Sequence, residues 1–276
     1  MCKYYLLGEK MNILNNIIFF LVSFLSSIIG AICGIGGGVI IKPTLDIFGL
    51  ASVSTISFLS GCTVLSMSIY SVFKTVTSDN KSIQLKTVTP LALGAAVGGV
   101  VGKQVFNIII DFFENQNLVG SIQSACLLII TVGTLLYTIF KSNIKTHTIE
   151  NKIICLMIGL FLGIISSFLG IGGGPINLVI LFFFFSMDTK TAASNSLYII
   201  LFSQITSLIS TITTNTVPDF YLITLIIMVL GGVMGGIIGR NINKKINNKQ
   251  VDKLFILLMV VIIFICIYNT IKYAVL

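Results

Sequence analysis

Long uncharged apolar runs recur along the chain, separated by short polar stretches. A helix needs about 20 predominantly apolar residues to cross the hydrocarbon layer of a bilayer. Eight of the runs have about that length and predict full transmembrane helices. They cover residues 12–33, 52–73, 87–107, 118–140, 153–170, 192–213, 221–239 and 254–271.

Two further apolar runs are shorter, and each follows a cluster of glycines. One extends from Gly36 to Leu50 and the other from Gly173 to Met187. Fifteen helical residues reach only about 22 Å, so we expect short broken helices that cross incompletely or begin part-way through the membrane. The ten segments together predict an all-α polytopic membrane protein.

The composition excludes a water-soluble protein. Hydrophobic residues make up 55% of the chain and charged residues only 9%, with a mean hydropathy of +1.05; soluble domains carry about 25% charged residues. In such a chain, a net charge of +8 indicates basic cytoplasmic loops rather than a nucleic-acid partner. If all ten segments cross, twelve of the basic residues share one side, which predicts a cytoplasmic linker and both termini outside. These residues are Lys74, Lys81, Lys86, Lys141, Lys145, Lys152, Lys190, Arg240, Lys244, Lys245, Lys249 and Lys253.

Two motifs occur twice at nearly one spacing. The glycine cluster at 34–38 (GIGGG) returns at 170–174, and the run at 98–103 (GGVVGK) returns at 235–240 as GGIIGR. The repeat predicts two halves, residues 12–140 and 153–272, joined by the linker 141–152. Each half holds five segments, an odd number, so the second half enters the membrane in the opposite sense. Such inverted repeats are common in secondary transporters.

Each glycine cluster precedes one of the short helices. Three consecutive glycines are costly inside a helix but allow the backbone to bend or to approach another group closely. Inversion would point both helix N-termini at the middle of the bilayer, where their free N–H groups and dipoles form an anion site. The predicted site residues are Gly36, Gly37, Gly38, Gly172, Gly173, Gly174 and Pro175, which suits the first turn of a helix.

Polar residues nearby could complete this substrate-binding site. An anion in the membrane needs more donors than two helix ends provide, although many Ser and Thr side chains instead bond to their own helix. The candidates are Thr55, Ser57, Asn177, Ser194, Asn195 and Ser196.

Lys42 and Asp46 lie four residues apart in the first short helix. One interpretation is a mutual ion pair on one helix face. The other is that Lys42 attracts the anion and Asp46 carries a coupling proton, because intramembrane ionisable residues indicate function. The second half has Leu178 and Phe182 at the equivalent positions, so the pair is not repeated.

The remaining glycine-rich runs favour close helix packing, since small residues let membrane helices approach. They comprise Gly94, Gly98, Gly99 and Gly102, and Gly231, Gly232, Gly235, Gly236 and Gly239.

Nothing in the sequence indicates an enzyme, a metal site or a cofactor. The one histidine, His147, lies in the polar linker, and no two of the six cysteines are spaced as CxxC. Without a nucleophile and base or a ligand cluster, we expect no catalytic site.

The paired GIGGG clusters, the Ala-Ala-Ser-Asn-Ser-Leu run at 192–197 and the glycine-rich ends of each fourth segment resemble the sulfite exporter TauE/SafE family of permeases. The resemblance covers nearly the whole chain. It implies a transporter of sulfite or related organosulfur anions in the cytoplasmic membrane of a prokaryote. By position it implies functional roles for the two glycine clusters, Pro43, Pro175 and Asn177. One departure is Val39, which stands where the second half has Pro175.

The leading hypothesis is therefore a multi-pass secondary transporter, an exporter of a small sulfur-containing anion such as sulfite or a sulfonate. The anion would bind between the two half-helix N-termini near the bilayer midplane. Two alternatives stay open: the same fold carrying another anion, such as a carboxylate or thiosulfate, and a membrane scaffold without transport. Proton coupling and assembly into a homo-oligomer also stay open.

Overall fold

The protein consists of α-helices throughout the part that the structure describes. A computed structural model describes residues 13–78, 82–113, 116–171 and 173–275, and in these ranges ten α-helices follow one another. They are α1 (Ile13–Cys33), α2 (Gly38–Phe48), α3 (Val53–Val76), α4 (Leu85–Phe113), α5 (Gln116–Phe140), α6 (Lys152–Leu169), α7 (Pro175–Phe185), α8 (Thr189–Thr213), α9 (Leu222–Lys245) and α10 (Asn248–Val275).

Eight of these helices are long and apolar enough to cross a membrane, which confirms the prediction of an all-α polytopic membrane protein. Several extend past the apolar run at their polar ends; α9, for example, continues to Lys245, and α10 begins at Asn248. Hydropathy marks the part of a helix that lies in hydrocarbon, whereas backbone hydrogen bonding continues into the interface.

The two short helices, α2 and α7, have 11 residues each, or about 16 Å of helix. They begin later than predicted because the glycines form the turn before each helix. Gly36 adopts φ 68°, and Gly173 and Gly174 adopt φ 115° and 135°, a region that favours glycine. Pro175 occupies the first turn of α7, where its missing N–H is not needed.

Glycines pack the two halves of the chain against each other. A Cβ on glycines of α9 would overlap the backbone of α1, and a Cβ on glycines of α4 would overlap the backbone of α6. Both helix pairs run parallel, since the contacts advance together along each pair. They join Gly231, Gly235 and Gly239 to Phe20, Phe24 and Ile28, and Gly94, Gly98 and Gly102 to Leu156, Leu160 and Ile164. This placement agrees with the packing interpretation of these runs.

The chain has two opposite faces, which we name by what they hold. At the linker face, Lys141, directly after α5, forms an ion pair with Asp252 in the first turns of α10, with Nζ and Oδ1 2.7 Å apart. At the terminus face, the Ser121 hydroxyl near the start of α5 donates to the carbonyl of Thr270 near the end of α10. The helices α5 and α10 are therefore antiparallel.

Equivalent helices of the two halves run in opposite directions. Helix α9 ends at the linker face, where the Lys190 ammonium donates to the carbonyl of Ile246. Helix α1, parallel to α9, therefore runs toward the linker face, whereas α6 starts there, directly after the linker. The two five-helix halves are therefore oriented in opposite directions, and each packs its first and fourth helices on the other half.

Candidate functional site

The two glycine clusters meet in the interior of the protein. A Cβ on Gly38 would overlap the carbonyl oxygen of Ile171, and a Cβ on Gly174 would lie 2.9 Å from Cγ2 of Val39. All four residues are buried. The starts of α2 and α7 therefore adjoin each other, and we call this region the glycine crossing.

From the glycine crossing the two short helices diverge toward opposite faces. The carbonyls at the end of α2, those of Asp46 and Ile47, accept hydrogen bonds from Lys272 near the terminus face. The end of α7 reaches the linker face, where the carbonyl of Phe183 accepts from the backbone N–H of His147 at 2.7 Å. The positive ends of both helix dipoles thus face each other at the glycine crossing.

Several backbone donors at the crossing lack acceptors. Within the described residues, the N–H groups of Gly37, Gly38 and Val39 form no hydrogen bond, and neither do those of Gly174 and Ile176. The first N–H groups of a helix have no partner inside the helix. A group of free N–H donors at the facing positive ends of two helix dipoles is chemically suited to bind an anion.

The long helices α3 and α8 support the crossing at equivalent positions of the repeat. A Cβ on Gly34 would collide with Ala193 of α8, and a Cβ on Gly170 would lie 2.8 Å from the Ser57 side chain of α3. On α8, Ser196 lies one turn after Ala193 and one turn before Ile200, which contacts Gly173. Ser196 therefore faces the region between the two clusters.

Three of the predicted polar residues lie at the crossing with a buried oxygen that has no hydrogen-bond partner in the described chain. The Asn177 side chain approaches Gly173, with Nδ2 3.1 Å from the position of a Cβ there, and its Oδ1 is unpartnered. The hydroxyls of Ser57 and Ser196 are likewise buried and unpartnered. These groups remain available to a ligand.

The other predicted polar residues are engaged elsewhere. Thr55 donates to the carbonyl of Asp219, at 2.9 Å, in the loop before α9. Ser194 donates to Lys190 in its own helix. The Asn195 amide, which is fully buried, binds the backbone of residues 82 and 84 and so ties α8 to the segment before α4. The structure does not bring these three to the crossing, and Gly172 lies outside the described residues.

Lys42 and Asp46 form a buried ion pair, with Nζ and Oδ2 3.1 Å apart. The pair lies on the side of α2 that faces α5 and α10, in a small cavity with Gln123 and Ser124 of α5. Oδ1 of Asp46 and Oε1 of Gln123 have no hydrogen-bond partner among the described residues. The mutual ion pair is thus present, one helical turn beyond the glycine crossing.

Pro43 contributes an acceptor beside this ion pair. Its carbonyl accepts a hydrogen bond of 2.8 Å from the amide of Asn269 on α10. Because proline has no N–H, α2 lacks one internal hydrogen bond here. Pro43 therefore fixes α2 to α10 and adds no donor to the crossing.

A small cavity of about 40 Å³ lies beside Gly170. Sequence reasoning missed three of its polar lining residues, Lys103, Gln204 and Ser167. In the sequence, Lys103 is noted only as the last residue of the repeated run at 98–103. Within the described chain, no group of three or more His, Cys, Asp or Glu residues could hold a metal ion.

One comparison with known proteins gives a match. The family model described as sulfite exporter TauE/SafE matches residues 19–265, which include both glycine clusters and, in full, every long helix except the first and the last. Neither a curated protein nor a solved structure matches the chain.

Proposed function

Because the chain belongs to the sulfite exporter TauE/SafE family, we propose that it is a secondary transporter that exports a small sulfur-containing anion, such as sulfite or a sulfonate. The family and the eight long apolar helices make it a multi-pass membrane transporter of sulfite or a related anion. Export, a location in the cell membrane and the choice among anions belong to the proposal.

The observation that carries the proposal is the pair of helix N-termini at the glycine crossing. Each dipole attracts an anion by about 0.3–2 kcal/mol, whereas a charge in the membrane interior costs at least about 2.5–3.5 kcal/mol. The dipoles alone meet only the low end of that cost. The free N–H groups of Gly38 and Gly174 and the unpartnered hydroxyls of Ser57 and Ser196 supply the further donors.

The charge distribution supports one orientation in the membrane. Eleven basic residues of the described chain lie on the linker face, and Lys81, also predicted there, is outside the described residues. Basic residues concentrate on the cytoplasmic side. The linker 141–152 is therefore cytoplasmic in this proposal, and both termini are outside.

Asp46 is the candidate for proton coupling in the proposed cycle. It is the buried carboxylate nearest to the glycine crossing along the chain, and one of its oxygens is unpartnered. Protonation of Asp46 would free Lys42 to attract the anion. A proton moving with or against the anion would then couple transport to the proton gradient.

Transport of labelled sulfite in proteoliposomes tests the proposal. The wild-type chain is expected to move sulfite faster than empty vesicles do, and Gly37→Val and Gly173→Val are expected to abolish this movement. Gly133→Val is the matched control, because a Cβ on Gly133 has no neighbour within 4 Å. Transport of a carboxylate or thiosulfate but not of sulfite would support the alternative that this fold carries a different anion. Absence of transport for every anion tested would support the alternative of a membrane scaffold.

A further inference from the structure

The cavity beside Gly170 is built from the terminus-face ends of four helices. Its wall comprises the start of α3, the end of α6 and the later parts of α4 and α8. Gly170 and Ser57, which contact each other at the edge of the glycine crossing, belong to the same wall. The cavity therefore lies between the terminus face and the crossing.

Among the described lining residues, Lys103 is the single cation. Lys103 is only 9% exposed, and its ammonium lies over the ring of Phe106, with Nζ 4.7 Å from the ring centroid. Within the described residues, no carboxylate forms an ion pair with Lys103. A buried ammonium without a counter-ion is costly unless something pairs with it, so the site favours an anionic occupant.

The remaining lining groups are neutral hydrogen-bonding groups. The hydroxyls of Ser57 and Ser167 are buried and have no partner in the described chain. Gln204 of α8 is also buried, with 6% exposure. None of the described lining residues is Asp or Glu. One cation with several neutral donors is the donor set that a small oxyanion requires.

We propose that this cavity is a second anion-binding subsite, in which Lys103 pairs with a small oxyanion and Ser57 and Ser167 donate hydrogen bonds to it. The subsite lies on the path between the terminus face and the glycine crossing. The identification of the occupant with the transported anion rests on the proposed function. The binding of an oxyanion in this cavity does not depend on that function.

Among the described residues, the repeat equivalents of Lys103, Ser57 and Ser167 do not form such a set at the linker face. Arg240 is the repeat equivalent of Lys103, but its guanidinium donates to the carbonyl of Lys74, at 2.7 Å, near the end of α3. At the linker face, Ala31 and Ala193 occupy the repeat positions equivalent to Ser167 and Ser57 of the terminus face. Among the described residues, this combination of Lys103, Ser57 and Ser167 is therefore present on the terminus face and not repeated on the linker face.

Titration of sodium sulfite into the purified full chain at constant ionic strength tests the subsite, together with the KM of sulfite transport in proteoliposomes. Lys103→Gln is expected to weaken sulfite binding and raise the KM at least tenfold, whereas Lys103→Arg stays within about threefold of wild type. Lys145→Gln, an exposed lysine of the linker, controls for net charge and leaves both values unchanged.

Wild-type affinity and KM in Lys103→Gln would overturn the subsite, even if transport itself is intact. Lys103-dependent sulfite binding without transport would leave the subsite standing and refute the transporter. If Lys103→Gln does not fold, Gln204→Glu provides the test. Its added carboxylate should pair with Lys103 and weaken sulfite binding at least tenfold. Unchanged sulfite binding in this variant would refute the subsite.

Discussion

Gly38, the first residue of α2, lies directly against the carbonyl group of Ile171, which belongs to the other half of the chain. The residues are distant in sequence, and the contact brings together the two places where the membrane helices are broken. The proposed substrate site depends on this contact because it sets the distance between the two helix N-termini.

Gly38→Ala should therefore damage the site. The added Cβ would overlap the Ile171 carbonyl and lie 3.0 Å from Cγ2 of Val64, and overpacking of this kind costs about 1–3 kcal/mol. We expect a lower unfolding temperature in detergent and loss of transport. Gly133→Ala, at a glycine with open space in α5, should be neutral or stabilise by up to about 1 kcal/mol. Equal effects of the two changes would contradict the close contact.

The packing of the halves predicts matched effects at two repeat-related glycines. A Cβ on Gly98 would overlap the carbonyl of Leu160. Likewise, a Cβ on Gly235 would overlap the carbonyl of Phe24. Gly98→Val and Gly235→Val should each separate a helix pair and destabilise the protein by about 1–3 kcal/mol or more. Thermal unfolding of the purified variants measures this. A stable Gly235→Val protein would show that α1 does not lie on α9.

The buried ion pair predicts a difference between single and double variants. Asp46→Asn leaves the Lys42 ammonium buried without its partner, which costs about 3–5 kcal/mol. The double variant Lys42→Leu/Asp46→Phe installs the residue types found at the equivalent positions of α7, and apolar replacement of a buried pair is often neutral. We expect the single variant to be much less stable than the double variant.

The same double variant tests proton coupling. If Asp46 carries the coupling proton, the folded double variant should lose the dependence of sulfite transport on a pH gradient. Proteoliposomes with an imposed gradient give the measurement. Gradient-driven transport at the wild-type rate would show that the pair only stabilises α2.

Asp188 predicts a modest pH dependence of stability at the linker face. Burial alone would raise the pKa of its carboxyl, but hydrogen bonds from the hydroxyl and backbone of Thr191 and from the backbone of Lys190 outweigh burial and hold the pKa below its ordinary value. A lowered pKa stabilises the folded state above pH about 4, and this contribution is lost as the pH falls through the folded-state value.

Asp188→Asn should therefore be less stable than wild type at pH 7, with the difference shrinking as the pH falls below about 4. The amide keeps an acceptor for the N-cap of α8 but does not titrate. Unfolding temperatures across this pH range measure the effect, with Glu150→Gln of the exposed linker as the control. A difference that is independent of pH would refute this role of the charge.

The sequence alone predicts the helices and their inversion because both depend on local patterns. Apolar length marks each membrane helix, and the repeated GIGGG cluster marks each break. Which helices pack together does not follow from such patterns. Gly94 and Gly235 are both typical of a close-packing face, but nothing nearby in sequence indicates that one faces α6 and the other α1.

The polar residues show the same limit. Thr55 and Asn195 look like site donors because they lie near the glycine clusters in sequence, yet their partners are backbone groups in distant loops. Lys103 is the opposite case, because its sequence context does not suggest a site. A single lysine at the end of a glycine run indicates only the boundary of a membrane helix. Its cavity exists because Ser167 and Gln204 arrive from the second half, so only the folded chain shows it.

The glycines of α9 pack on α1, a helix of the other half of the chain. This packing between distant helices has a consequence for biogenesis. Helix α1 leaves the ribosome long before α9, the partner that covers its packing surface, has been translated. Until then α1 must rest in lipid or against a temporary chaperone. A chain truncated after the linker would keep that surface permanently uncovered, so membrane quality control has a ready means of recognising incomplete copies.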